Sequence, residues 1–126
     1  MKALEPNMYV RTKKGTIHKI FEIDKMLKYE KEDRLIINKD DWFLVESDLF
    51  KASHNIIDLI EEGDYVNGLR VEKSKYGELY TSYTYMGGDI GLQQETYTTF
   101  LKDYEEDDVY SILTREQFES MKYEVK

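Results

Sequence analysis

The chain has 126 residues, a length that suits one domain able to bury a core without metal or disulfide support. It contains no cysteine, which excludes disulfides, thiolate metal sites, thiol nucleophiles and iron–sulfur clusters together. Its 18 basic residues face 26 acidic ones, and a net charge of −8 disfavours direct DNA binding, because phosphate-backbone binding works by releasing counterions to a basic surface. The imbalance is uneven: residues 1–62 are net −2 and residues 63–126 net −6. The opening MKALEPNMYV lacks the apolar run of a signal peptide, and no stretch approaches the roughly 20 apolar residues of a membrane span. These features predict a soluble cytoplasmic protein without membrane contact or cofactor.

Short runs of tyrosine, valine, isoleucine and threonine bounded by turn residues predict antiparallel strands. Residues 1–7 read as a flexible extension before Met8, itself an alternative start. A first hairpin follows, with Tyr9 to Thr12 and Thr16 to Ile23 as arms and Lys13, Lys14 and Gly15 as its turn. In the second arm Ile17, Lys19, Phe21 and Ile23 alternate with His18, Ile20 and Glu22, which predicts one largely apolar face. Beyond the charged DKMLKYEKED, two more strands are expected at Arg34 to Asn38 and Asp41 to Glu46.

The segment NIIDLIEEGDYVNG, residues 55–68, has the most ordered local grammar. Ser53 or Asn55 is placed to cap a short helix, Ile56, Ile57, Leu59 and Ile60 give it an apolar side, and Gly63 closes it. Asn67-Gly68 then stands between hydrophobic arms, the pair favoured by a two-residue type I′ turn. MYVRTKKGTIHKI and DYVNGLRVEKS share an outline that fits either a faint duplication or a common hairpin grammar. Farther on, ELYTSYTYM and ETYTTFL flank GGDIGLQQ and alternate as an aromatic-rich hairpin. Thr114 and Gln117 stand at capping-box spacing before a short C-terminal helix with Phe118 and Met121 facing inward, and Lys122 to Val125 read as an edge strand. Together these elements predict a mainly β, β-rich α+β fold: a small SH3-like twisted barrel, or two packed antiparallel half-barrels closed by short helices.

Residues equipped for catalysis are scarce. His18 and His54, the only histidines, lack metal-ligand spacing and read as a strand residue and a helix-start residue. No Gly-x-Ser-x-Gly elbow is present, MGGDIG lacks the lysine of a phosphate-binding loop, and DYEEDDVY has Asp108 where a calcium loop requires glycine. The expectation is a protein that is not an enzyme and holds no metal. One pattern remains. From Tyr76 to Thr114 eight carboxylates face Lys102 alone, net −7, interleaved with seven tyrosines. Such a segment suits an arginine-rich protein surface, since a ring accepts a guanidinium on its face while a carboxylate pairs with it. It equally suits a solvated strand face with tyrosines packed beneath. The residues singled out for partner binding are Tyr83, Tyr85, Asp89, Glu95, Tyr97, Asp103, Tyr104, Glu105, Glu106, Asp107 and Asp108.

MYVRTKKGTIHKI, NIIDLIEEGDYVNG and SILTREQFESMKYEV together resemble small accessory proteins encoded by phages, prophages and plasmids of low-GC Gram-positive bacteria. The similarity lies at both ends and at the central joint, and the part that varies is Tyr76 to Val109. The resemblance implies a mobile-element protein whose neighbourhood includes anti-CRISPR proteins, several of them small acidic inhibitors of Cas9. It implies a protein partner with a basic surface, Cas9 or its guide-RNA complex, and carries over no catalytic residue. An SH3-like structural or regulatory interaction module, working through Trp42, Phe43 and the Lys13-Lys14-Gly15 turn, is the competing expectation.

Overall fold

A computed structural model describes residues 3–25, 32–37, 42–87 and 93–121. The chain divides into two compact units, Met1–Leu59 and Ile60–Lys126, with the division inside the ordered 55–68 segment. The division sharpens the charge asymmetry: unit 1 holds 11 basic and 11 acidic residues, whereas unit 2 holds 7 and 15. The whole net charge therefore belongs to unit 2.

Unit 1 contains β1 (Tyr9–Thr12), β2 (Ile17–Lys19), β3 (Glu22–Asp24), β4 (Arg34–Ile36), β5 (Phe43–Leu44) and β6 (Leu49–Ser53). They form two three-stranded antiparallel sheets, ordered β2-β1-β6 and β3-β4-β5. The β1–β2 turn is the expected Lys13-Lys14-Gly15, with Gly15 at φ 89. The long second arm differs from expectation. It breaks at Ile20–Phe21, where Ile20 N donates to Met8 O (2.8 Å) and Phe21 N to Ile36 O (2.8 Å), so consecutive residues serve different sheets. That handover resets the pleat: Ile20 is buried and Phe21 is exposed, the reverse of the face read from simple alternation.

The core of unit 1 is Met8, Val10, Ile20, Leu35 and Leu49, with Leu4, Ile23, Leu44 and Ala52 packed against it. Residues 3–7, read from sequence as an extension, lie against this sheet through Leu4 and through Asn7 N, which donates to Ile20 O at 2.8 Å. Arg11 is fully buried, and its Nη1 donates to the carbonyl of Leu59 at 2.9 Å, which fixes the last turn of the unit. That turn is the 3₁₀ helix Ile56–Leu59. Of the two predicted caps Asn55 is the one used, its Oδ1 accepting from Ile57 N (3.1 Å), while Ser53 Oγ accepts from Asn55 N (3.1 Å) just ahead of the helix. Four residues are too few to present a continuous apolar stripe. Leu59 and Ile60 are buried, while Ile56 and Ile57 stay partly exposed.

Unit 2 contains β7 (Tyr65–Val66), β8 (Leu69–Arg70), β9 (Glu72–Lys73), β10 (Leu79–Gly87), β11 (Gln93–Phe100), β12 (Ile112–Leu113) and the helix α1 (Arg115–Met121). Its sheets are ordered β12-β7-β8 and β11-β10-β9. Asn67 (φ 53) and Gly68 (φ 83) make the expected two-residue turn between β7 and β8. The predicted capping box is present, with Thr114 N donating to Gln117 Oε1 (2.9 Å) and Gln117 N to Thr114 Oγ1 (3.2 Å). Phe118 packs on Tyr65 at 5.0 Å between ring centroids, but Met121 is 70% exposed, since a seven-residue helix sets only its first inward side chain against a ring. The strand expected from Lys122 to Val125 lies outside the described residues.

The fold is mainly β, as the sequence predicts, with four three-stranded antiparallel sheets among the described residues. Among the described residues no closed SH3-like barrel is formed. Apart from β10 and β11, the strands run two to five residues, too short for the continuous stagger that closure demands. No described helix is long and apolar enough to cross a membrane. Ile60→Ala is expected to lower unfolding free energy by about 2–5 kcal/mol, read from the denaturant midpoint. Gly68→Val, at a site with open space around the added carbon, is expected to cost about 1–3 kcal/mol through its backbone angle alone. Unchanged midpoints in both variants would show that residues 60–68 hold neither the core nor the turn.

Candidate functional site

The longest strands of the molecule, β10 and β11, pair from Tyr80↔Phe100 to Gly87↔Gln93. The third strand of that sheet, β9, reaches only Leu79 and Tyr80. Past Tyr80 the hairpin is therefore a two-stranded ribbon, and Tyr83 to Tyr85 and Gln94 to Thr99 are exposed. Such a ribbon is marginal in water unless cross-strand side chains hold it. Here they do. Period-two alternation puts Tyr83 and Tyr85 on one face, and the register sets Tyr97 opposite Tyr83 and Glu95 opposite Tyr85.

The rings form a single stack. Tyr97 lies 5.4 Å from Tyr83 at 24° and 5.4 Å from Tyr85 at 9°, and Tyr83 lies 6.3 Å from Tyr85. Tyr85 Oη donates to Glu95 Oε2 at 2.7 Å and is 3.1 Å from Tyr97 Oη. On the opposite face Thr84 and Thr96 share a hydroxyl hydrogen bond of 3.0 Å. The stacked tyrosines still expose 49%, 38% and 48% of their surface at Tyr83, Tyr85 and Tyr97, which leaves ring faces and edges open to a partner.

The acidic run is fastened beside the base of this hairpin. Tyr104 Oη and Thr81 Oγ1 lie 2.8 Å apart, and Thr81 belongs to the same face of β10 as the tyrosine stack. Asp103 ends one 3₁₀ turn, Leu101–Asp103, and Glu106–Asp108 forms a second. Asp108 Oδ2 accepts from Glu105 N at 2.9 Å, so this carboxylate shapes its own loop. Asn67 then clamps the run from outside: its Nδ2 donates to Asp108 O (2.8 Å), and its Oδ1 accepts from Tyr110 N (2.7 Å) and Ser111 N (3.1 Å). Asp103, Glu105, Glu106, Asp107 and Asp108 are all exposed. Lys102, the single base of the segment, is drawn toward Glu78 at 3.4 Å.

Of the residues singled out from sequence, the structure gathers Tyr83, Tyr85, Glu95 and Tyr97 into one patch and puts Tyr104 at its base. It places Asp103, Glu105, Glu106, Asp107 and Asp108 on adjoining turns, and Asp89 lies outside the described residues. Sequence reasoning missed the clamp made by the Asn67 side chain, because a turn signal reports backbone angles and says nothing of where the amide points. Trp42, Lys13 and Lys14, named from sequence for the competing interaction module, line a groove in unit 1, and what sequence reasoning missed there is His18, whose ring lies 4.9 Å from that of Trp42. His54, by contrast, pairs at the surface with Glu5 at 2.9 Å. Among the described residues no three His, Asp or Glu side chains converge as a metal set.

Comparison of the chain with protein-family models, with curated proteins and with solved structures finds no match.

The hydrogen bonds to Tyr97 and then to Glu95 push the Tyr85 hydroxyl up to about 12. The raised value favours the protonated phenol, so the stability it carries is complete below the ordinary tyrosine value of about 10 and is lost as pH rises through about 12. In an ultraviolet titration one phenol is expected to ionise near 12, and Glu95→Ala to move it back toward 10. Coincident titration curves for the two proteins would show that Glu95 does not hold the proton.

Proposed function

We propose that the protein is a non-enzymatic inhibitor from a mobile genetic element that binds a basic, arginine-bearing protein surface through its tyrosine hairpin and acidic run. The observation that carries this reading is the exposed Tyr83–Tyr97–Tyr85 stack joined to Glu95 in a segment of net −7. Stacked phenols with a carboxylate at their edge offer a guanidinium a ring face and an acid together. Because the stack and the acidic turns are formed in the free protein, little side-chain entropy is lost on docking. The resemblance of the chain's ends and central joint to phage and plasmid accessory proteins directs the reading to a type II CRISPR effector. Cas9 reads its PAM with arginines and holds its heteroduplex in a basic channel, so occupying either surface, or blocking guide-RNA loading, excludes nucleic acid.

The test is capture of the chain on immobilised Cas9 with and without guide RNA, beside a DNA-cleavage assay. Wild type is expected to bind and to inhibit cleavage, and affinity to fall as salt rises toward physiological strength. Joint replacement of Tyr83, Tyr85 and Tyr97 by alanine is expected to cost about 2 kcal/mol or more of binding. Changing Asp103, Glu105, Glu106, Asp107 and Asp108 to their amides should keep the fold and slow association, since exposed like charges repel and contribute little stability. No binding under either condition, with cleavage unimpaired, would refute the inhibitor reading.

A second reading has its own observation. Trp42 and Phe43 are 46% and 44% exposed, which favours an interaction module that works through the groove of unit 1. In that case Trp42→Ala, and not the tyrosine triple variant, is expected to abolish partner capture.

A further inference from the structure

The groove in unit 1 encloses about 480 Å³ and is lined by residues of the β1–β2 hairpin, of β5 and of the loop before β6. Its size falls within the range of ligand sites. One wall is aromatic: His18 and Trp42 lie at 57° to one another with Trp42 nearly half exposed, and Leu44 extends the apolar surface. Burial lowers the His18 pKa, so at neutral pH this ring is uncharged and adds to the stacking surface.

The polar groups of the walls are engaged with each other. Thr12 Oγ1 and Thr16 Oγ1 are 2.7 Å apart, His18 Nε2 is 3.0 Å from Thr16 Oγ1, and Asp48 Oδ2 accepts from Val45 N at 3.0 Å. Ser47 Oγ donates to Glu32 at 3.0 Å. Few directional donors or acceptors are left to read a base edge or a sugar. What is left is charge. Lys13 and Lys14 are exposed at one end of the groove and form no ion pair among the described residues, and Lys13 N, bound to Asp48 O at 3.0 Å, holds their turn in place.

The spacing between the two chemistries follows from the strand. The turn lies beyond the Thr12–Thr16 pair, and His18 lies one same-face position, two residues, farther along β2. At about 3.3 Å per residue the aromatic wall and the cationic turn are separated by roughly 7–10 Å. In an extended peptide the same-face side chain two places on lies about 7 Å away and the one four places on about 13 Å away, so the first matches that separation and the second is met by the reach of a lysine's flexible four-carbon stem beyond the turn.

We infer that this groove binds an extended acidic peptide segment of a protein partner, with an aromatic residue stacked on Trp42 and His18 and carboxylates two and four residues onward meeting Lys13 and Lys14. The inference rests on the second reading for its location and adds the ligand and its register. The ligand is opposite in charge to the surface that the tyrosine hairpin suits, so the two sites do not compete for one partner surface.

Trp42 is the sole tryptophan of the chain, so its fluorescence reports this groove alone. The probes are the blocked pentapeptides YTETE, which carries its acids on the same face as the tyrosine, and YETET, which carries them on the opposite face. Titrated into the full chain, YTETE is expected to give a saturable change in emission, with YETET about tenfold weaker. Joint replacement of the exposed Lys13 and Lys14 by alanine is expected to weaken YTETE by about tenfold and leave the melting temperature in place. Equal response to the two peptides, undiminished binding to the lysine variant, or no response would overturn the inference. So would adenosine monophosphate binding as tightly as YTETE. Loss of partner capture by Trp42→Ala together with silence toward YTETE would retain the interaction module and reject the acidic peptide as its ligand. Response to YTETE with normal capture by Trp42→Ala would retain the groove's ligand and reject the groove as the route to that captured partner.

Discussion

Unit 2 is organised around one carboxylate that has no exposed surface. Asp64 Oδ2 accepts from Glu61 N at 2.7 Å, Asp64 Oδ1 accepts from Arg115 N at 2.8 Å, and the Asp64 carbonyl accepts from Val71 N at 2.7 Å. A buried carboxylate is costly unless its lone pairs are filled, and amide donors fill them here. The bond to Arg115 N also sets the negative group at the start of α1, where the free amides and the helix dipole favour it. The side chain thus ties Glu61 to the start of the C-terminal helix, and the carbonyl of the same residue holds Val71, between β8 and β9. Three residues on, Asn67 is held by that arrangement and in turn fixes the end of the acidic run. Through these two side chains residues 55–68 support the end of the acidic run and the start of α1.

Fixing the base is what allows the ribbon to stand in water. Beyond Tyr80 the hairpin loses its third strand, and its backbone bonds alone give little net stability. Stacked ring pairs contribute about 0.5–1.5 kcal/mol each beyond area burial, so the Tyr83–Tyr97–Tyr85 stack holds the ribbon while keeping much of each ring in solvent. The same stack thereby serves stability and recognition. Changing one of its rings weakens both, which is why the exposed acidic turns, changed to amides that keep an acceptor oxygen at Asp108, give the cleaner test of recognition by charge.

The sequence was legible where structure is local. Asn67-Gly68, the Thr114–Gln117 box, the Asn55 cap and the aromatic hairpin all declare themselves over two to nine residues, because turn angles, caps and alternation are properties of neighbours. The rest depended on partners far away in the chain. β6 was not foreseen, since Leu49 to Ser53 makes no alternating pattern and becomes a strand by pairing with β1. The handover at Ile20–Phe21 is invisible in an unbroken run of strand formers. Asp64 reads as one acid among many until the amide of Arg115 lies beside it. For the candidate site, composition pointed to the tyrosines and carboxylates, but the ring stack required the register Tyr83↔Tyr97. The groove required His18 and Trp42, 24 positions apart, to meet.

Opposite chemistries on one small chain bear on how any binding is to be read. Unit 2 carries the entire net charge and presents tyrosines and carboxylates, while unit 1 is neutral in sum and exposes two lysines beside an apolar groove. Added salt weakens attraction at either surface, because screening acts on a carboxylate meeting arginine and on a lysine meeting glutamate alike. Loss of binding with ionic strength therefore does not identify which surface is in use. The sign of the partner does. A basic partner is steered to the hairpin and acidic turns by a field of like sign summed over many groups, an effect on association rate. An acidic peptide approaches against the net charge of the chain, gains little from steering, and depends on ring contact and two short-range pairs that govern dissociation. Kinetics thus separate the two surfaces where equilibrium affinity alone does not.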